Sequence, residues 1–312
     1  MAAPPGFLAR AEARYSNNVL GIAYMVVSVI FLAAVDTVVK IVARDAAAPI
    51  HPVEIVFFRN LFGLVALAPY FLRTGLGGFK TERLGFHALR GAVHSVGMIS
   101  WFWALTLTTL ADATALSFMM PIFATMGAIL FMGEPSRRNR WLAIAISFVG
   151  MLIILRPGVG AITAGSALVL LSAVGAASSK LLMKSLSRTD SVPAILFYLT
   201  FFLTIFSFVP SVFVWTWPTP QSLALLFLIG IFGILGHLFM TWSFRLGDVT
   251  AVEPAYFTRL IFAAIIGYVF FTEAPPIWTY VGSAVIVLGS AWLVRSEARE
   301  ARRALLTTQK PL

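Results

Sequence analysis

The sequence predicts an all-α polytopic membrane protein, ten transmembrane helices arranged as two inverted five-helix repeats around a central cavity. Three observations carry that expectation: an extreme apolar composition, ten apolar stretches of bilayer length, and a second half that repeats the first in constant register. Apolar residues make up 59% of the 312 residues and charged residues 12%, against roughly half and a quarter in soluble domains. Such a chain has too little polar surface to cover itself in water. Disordered, collagen-like and disulfide-framework classes fail on the same figures. A chain without cysteine also has neither a thiolate metal site nor a thiol nucleophile.

A bilayer core takes about 20 mostly apolar residues per helix. Residues 1–18, MAAPPGFLARAEARYSNN, lack an apolar run long enough for a cleaved signal peptide and read as a tail, so the first span, Val19–Val42, is retained. The second, Pro52–Leu72, carries Glu54 and Arg59, and the third, Phe86–Leu107, sets His94, Met98 and Trp101 on one face. The fourth, Ala111–Met132, leads to Glu134, and the fifth, Trp141–Leu155, closes at Arg156. The sixth, Gly165–Ser185, holds Lys180; the seventh, Pro193–Val214, precedes Trp215 and Trp217, expected as interface anchors. In the eighth, Ser222–Phe244, Gly230, Gly233 and Gly236 of GIFGILG recur every third residue. That is not the dinucleotide fingerprint, which must follow a strand; small residues here let helices approach closely. The ninth, Val249–Phe271, holds Glu253 and Arg259, and the tenth, Ile277–Val294, precedes a basic tail over residues 296–312. Linkers are short and punctuated by Gly, Pro and Asp, so no soluble catalytic domain fits between spans. The alternating strands of an outer-membrane barrel are absent.

A net charge of +10 suggests an acidic partner until its placement is examined. Seventeen of the 23 Lys and Arg residues fall on the side that holds both termini, three (Lys40, Arg44, Arg156) on the other, and three (Arg59, Lys180, Arg259) inside spans. Cytoplasmic loops carry the Lys/Arg excess. The split therefore places both termini in the cytoplasm and the protein in the cell membrane, the inner one in a Gram-negative cell. The basic tail can touch anionic headgroups; a nucleic-acid role has nothing else behind it.

Self-comparison divides the chain into repeats at 19–156 and 157–295. A shift of 144 lays Gly21–Arg44 on Gly165–Arg188 without a gap, matching Lys40 to Lys184 and Arg44 to Arg188. A shift of 139 matches Gly97 to Gly236, Trp103 to Trp242, Phe118 to Phe257, Glu134 to Glu273 and Arg156 to Arg295. Five spans is an odd number, so the second repeat enters the bilayer from the opposite side. Inverted repeats supply two related conformers around a site near the midplane, the basis of alternating access.

The Arg59 of FFRN, the fourth-span run ADATALSFMMPIFATMGAILFMGE ending at Glu134, its echo VTAVEPAYFTRLIFAAIIGYVFFTE ending at Glu273, and an Arg after each Gly-rich closing span resemble the drug/metabolite transporter superfamily, EamA type. The resemblance covers nearly the whole chain and implies export or uptake of amino acids, purines, vitamins or similar metabolites without ATP. The family's second half often has Pro where Leu260 stands opposite Pro121; here proline falls earlier, at Pro254, so kinks are not carried over between the halves.

An ionisable group at mid-bilayer costs from about 2.5 kcal/mol upwards, so each needs a partner or a water-filled cavity. Asp36 and Lys40 share a helix face and can pair locally; an Asp36–Arg59 bridge is the alternative. Lys180 occupies the Asp36-equivalent position, and opposite charges converging on one cavity suit a zwitterionic solute; a Lys180–Glu253 bridge competes with that role. Arg259, near mid-depth, is the leading candidate to grip a solute anion, because its planar fork matches a carboxylate. Trp101 with Tyr256 is expected to wall the apolar part of the solute, packing being the alternative, and His94 is a candidate proton carrier. The substrate-binding set is thus Asp36, His94, Trp101, Lys180, Tyr256 and Arg259, with Arg59 and Glu253 as coupling or structural partners.

No HExxH, P-loop or GxSxG arrangement exists, so no metal, cofactor or catalytic residue is expected. The function expected is secondary transport of small metabolites, with amino acids or related zwitterionic and anionic compounds favoured, and export over import. The partners are a small-molecule solute and membrane lipid, with a proton as candidate coupling ion and the oligomeric state left open. Import of a larger metabolite, such as a vitamin or nucleoside-like cofactor, is one alternative. An intramembrane enzyme acting on a lipid-linked substrate is another, and a passive channel, whose flux would not saturate, a third.

Overall fold

The computed structural model describes residues 7–45, 48–74, 80–133, 138–156, 163–186, 188–246 and 255–308. Eleven α-helices lie among them: α1 Phe7–Ala43, α2 Pro52–Thr74, α3 Leu84–Leu107, α4 Leu110–Ser117, α5 Met120–Phe131, α6 Arg138–Leu155, α7 Ala164–Leu186, α8 Val192–Ser211, α9 Pro220–Leu246, α10 Arg259–Phe271 and α11 Ile277–Thr308. Helices α4 and α5 form one apolar span, Leu110–Phe131, which brings the number of spans to ten. Most bounds fall within three residues of the expected ones. The terminal helices reach further, from Phe7 and to Thr308, so much of each expected tail continues a spanning helix. Five spans are long and apolar enough to cross a bilayer by composition alone. Helices α2 and α3 fall outside that group, and they carry Glu54 and Arg59, and His87, Arg90 and His94.

The packing follows the repeat. Helix α1 lies along α9 and α3 along α7; α2 contacts α8, α4 contacts α10, and α6 packs on α11. Exchanging the halves turns α1–α9 into α7–α3 and returns the other three pairs to themselves, as a pseudo-twofold requires. Glycine sets the closest crossings. A Cβ on Gly150 of α6 would sit 2.7 Å from the Gly282 carbonyl of α11, and one on Gly175 of α7 would sit 2.8 Å from Gly97 Cα of α3. On α9, a Cβ on Gly236 would sit 2.9 Å from Leu32 and one on Gly230 2.9 Å from Phe62, so the GIFGILG stripe admits α1 and α2 as its composition suggested.

The fourth and ninth spans both break. Helix α4 ends at Ser117 and α5 starts at Met120; turn residues 257–258 precede Arg259, the first residue of α10. The breaks lie 139 residues apart, in the register of the repeat. The breaks thus correspond between the halves, the second forming with Leu260 in place of Pro121. Pro254 lies outside the described residues. The far ends of these spans also correspond, with Gly133 at φ 66° and Thr272 at φ 55°. Both are left-handed, which glycine adopts freely and threonine does not.

The two ends of the bundle differ. At the end away from the termini, Val35, Val38, Val39, Val42, Ile55 and Leu105 belong to one solid buried core. Fully buried Lys40 pairs there with Glu273 and donates to the Thr108 carbonyl at 2.8 Å, while Glu273 Oε2 accepts from the Leu110 amide at 2.9 Å. Asp112 accepts from Thr279, and Glu54 Oε2 accepts from the Thr216 amide and hydroxyl at 3.1 Å. Lys40 thus pairs with Glu273 across the bundle and not with Asp36 one turn away. Trp215 tilts against Phe58 at 5.4 Å, whereas Trp217 is exposed.

At the termini-bearing end, Asp190 accepts from Thr81 at 2.5 Å and from His87 Nε2 at 2.7 Å, tying α3 to the α7–α8 turn. Burial alone would push the Asp190 carboxyl up, but hydrogen bonds from Thr81, His87 and Thr189 outweigh it and hold the carboxyl below its ordinary range. Arg90 is buried in α3, directed at Ser179 and the Ile195 carbonyl.

Candidate functional site

A cavity of about 320 Å³ lies beside the two helix breaks, on the termini-bearing side of the solid core. That volume is at the lower end of small-molecule sites, roughly 300–1,000 Å³. Asp36, Arg59, His94, Trp101, Lys180, Tyr256 and Arg259 all line it, so seven of the eight residues singled out from sequence meet at one place. The eighth, Glu253, lies outside the described residues, and with it the Lys180–Glu253 bridge. On α7 the lining runs from Ser172 to Lys180, which is exposed. The hollow therefore extends toward the basic end, and the Lys40–Glu273 end is closed.

Charge inside is organised around Asp36. Arg259 NH2 donates to its Oδ2 at 2.5 Å and Trp101 Nε1 to its Oδ1 at 2.9 Å. Arg259 NH1 donates to the Tyr256 hydroxyl at 2.9 Å, and its guanidinium carbon lies 5.1 Å from the Trp101 ring centroid, within cation–π range. The break explains the geometry: as the first residue of α10, Arg259 turns inward at mid-span, toward α1 and α3. The Asp36–Arg59 bridge expected as an alternative is replaced by Asp36–Arg259, because the Asp36 oxygens are taken by Arg259 and Trp101. Trp101 and Tyr256 do stand together at the cavity wall, but with their polar edges engaged by the ion pair.

Arg59 is held by neutral groups. Its NH1 donates to Asn60 Oδ1 at 3.2 Å and to Met98 Sδ at 3.3 Å, and its buried Nε has no partner. The guanidinium lies against α9, where a Cβ on Gly233 would come within 3.1 Å of it. The buried Nδ1 of His94 is also unpartnered. The described lining thus holds three cations, Arg59, Lys180 and Arg259, against one carboxylate, Asp36.

Sequence reasoning passed over several lining residues: Ser117, Met120 and Met240. The repeat itself could have found them. The 139-residue shift lays Met98 on His237, Trp101 on Met240, Ser117 on Tyr256 and Met120 on Arg259, as the 144-residue shift lays Asp36 on Lys180. A pseudo-twofold axis through the cavity makes each lining position a pair of positions, whatever side chains stand there.

Comparison with known proteins agrees with this architecture. The model of the EamA-like transporter family matches residues 19–156 and 163–295. The chain is 29% identical over 280 residues to an S-adenosylmethionine uptake transporter of Rickettsia bellii, covering 90% of this chain and 95% of that one. It is 28% identical to a riboflavin transporter of Vibrio cholerae (91% and 95% covered) and 29% identical to a pseudopaline exporter of Pseudomonas aeruginosa (84% and 92%). A solved crystal structure, 18% identical, matches 90% of this chain and 97% of its own with a TM-score of 0.54, a likeness of fold alone. With both halves matched and a charged cavity between them, the chain belongs to the EamA-like transporter family.

Proposed function

We propose that the protein is a secondary carrier for small metabolites that join an anionic or zwitterionic head to a flat apolar part, amino acids and amino-acid-like compounds being the leading class. The observation that carries this reading is the excess of cations over carboxylates in a cavity set within the bilayer. A buried net positive charge is costly until an anion joins it, so a solute carboxylate stabilises the loaded cavity. Asp36, Lys180 and Arg259 define its charge pattern, Trp101 and Tyr256 its flat wall, and His94 a polar side. Two inverted repeats then expose the site to each face in turn. The Lys/Arg excess assigns the termini-bearing end to the cytoplasm, which makes the present arrangement the inward-open form.

Transport by an alternating site is reversible, so net direction follows the gradients; the sequence-based preference for export has no residue behind it. A second reading, uptake of a larger vitamin- or nucleoside-like metabolite, is supported by the relatives named for S-adenosylmethionine and riboflavin. S-adenosylmethionine itself combines an amino-acid head with a purine. One experiment separates the readings: influx of labelled amino acids, S-adenosylmethionine, riboflavin and a neutral sugar into proteoliposomes, with and without a pH gradient. Saturable flux and counterflow of a carboxylate-bearing solute support the proposal. Flux that never saturates, or transport confined to neutral solutes, overturns it.

A further inference from the structure

Arg259 has the residue type and depth of an anion anchor, yet its charge is already met. It faces Asp36 at 2.5 Å and the Tyr256 hydroxyl at 2.9 Å, over the Trp101 ring. A solute carboxylate at Arg259 would have to displace Asp36 and leave that carboxylate uncompensated in the membrane interior. Arg59 presents the opposite case. Among the described residues no carboxylate pairs with it. Its contacts are the weak neutral acceptors Asn60 Oδ1 and Met98 Sδ, and its buried Nε donates to nothing. Backing against Gly233 holds the fork in place without a side chain in its way.

We propose that Arg59 anchors the anionic group of the solute as a bidentate partner for a carboxylate, and that Arg259 is a positioning residue held by Asp36. This deepens the carrier reading and rests on it. Unlike Arg259, Arg59 can take a carboxylate without breaking an existing ion pair: the solute supplies the missing counter-charge and the acceptor that Nε lacks. Asn60 supports the geometry by donating to the Val56 carbonyl at 2.9 Å and so fixing its own amide. Gly233 bears on the same geometry: a Cβ there would sit 3.1 Å from the guanidinium, which must then shift by a few tenths of an ångström.

The test is equilibrium binding of labelled benzoate to the purified full chain in detergent, with benzamide as neutral isostere and phenyl phosphate as a second oxyanion. Benzoate should bind saturably and more tightly than either. Arg59→Gln should weaken benzoate on the order of hundredfold while leaving benzamide unchanged, and Arg59→Lys should recover part of the loss. Gly233→Ala keeps the charge and should weaken benzoate several-fold, which guards against a glutamine variant that fails to fold. The charge-neutral pair Asp36→Asn with Arg259→Gln should weaken benzoate by a smaller factor than Arg59→Gln does. Absence of saturable benzoate binding, equal binding by the Arg59→Gln protein, or loss in the Asp36/Arg259 double variant alone overturns the proposal. Preference for phenyl phosphate overturns the carboxylate assignment. Benzoate binding without flux of any solute in proteoliposomes would sink the carrier reading instead, so the two failures are distinct.

Discussion

Asp36 and Arg259 show how one contact couples recognition to folding. The pair lies on α1 and at the broken start of α10, with Trp101 of α3 closing the third side. Removing one member leaves its partner as an uncompensated buried charge, which costs about 3–5 kcal/mol. Arg259→Ala is therefore expected to abolish saturable transport and to lower the thermal unfolding midpoint while the protein still inserts. Asp36→Asn combined with Arg259→Gln should restore most of that stability, because a neutral hydrogen-bonded pair replaces the ionic one. Unfolding in detergent and flux in proteoliposomes read the two effects separately. Normal transport kinetics in Arg259→Ala would remove this residue from the site.

Single helices are shaped here by short polar ties at their ends. The tie at Asp190 joins the start of α3 to the α7–α8 turn through Thr81 and His87. Its carboxyl is held below the ordinary value of about 3.9, so its contribution is complete above that pH and is lost as pH falls through the lower folded-state value. Asp190→Asn should destabilise by about 1–2 kcal/mol at pH 7, and the gap from the parent protein should narrow as pH falls below the ordinary carboxylate value. A constant gap across that range, measured by thermal unfolding, would assign the loss to packing instead. Gly133 and Thr272 occupy matching left-handed positions at the ends of α5 and α10; the backbone repeats although the residue that makes it easy does not.

For the molecule as a whole, packing is solid at one end and a cavity lies toward the other; on the proposed carrier reading this is one of the two conformers that an inverted repeat supplies. Lys40 and Glu273 bridge α1 to the α10–α11 turn at the closed end, so opening there must separate them. The chain contains no cysteine, which permits a clean trap. Lys40→Cys with Glu273→Cys, joined by a short cleavable bismaleimide, should stop flux almost completely, and cleavage of the linker should restore it. Undiminished transport by the crosslinked protein would mean that this end does not open during the cycle.

Much of this was legible in the sequence, for identifiable reasons. Span positions follow from hydropathy, because the bilayer admits no unpaired backbone and so demands whole helices. The inverted repeat follows from register: Lys40 and Arg44 with Lys184 and Arg188, and Glu134 and Arg156 with Glu273 and Arg295, keep their spacing across the halves. The rule that ionisable residues inside a membrane gather on cavities picks out five lining residues, Asp36, Arg59, His94, Lys180 and Arg259, and the aromatic pair Trp101 and Tyr256 joins them. Pairing was not legible. Lys40 lies one turn from Asp36 and Arg59 at similar depth, yet Asp36 binds Arg259, 223 positions away, and Lys40 binds Glu273, 233 positions away. Sequence by itself determined the spans, the repeat and which charges must face inward, since those depend on composition and periodicity along the chain. Only the tertiary structure decided which charges neutralise each other and which, like Arg59, have no carboxylate in hydrogen-bond contact among the described residues. Ion pairing depends on distances of a few ångströms between helices, and those are set by glycine crossings and helix breaks that no one-dimensional pattern encodes.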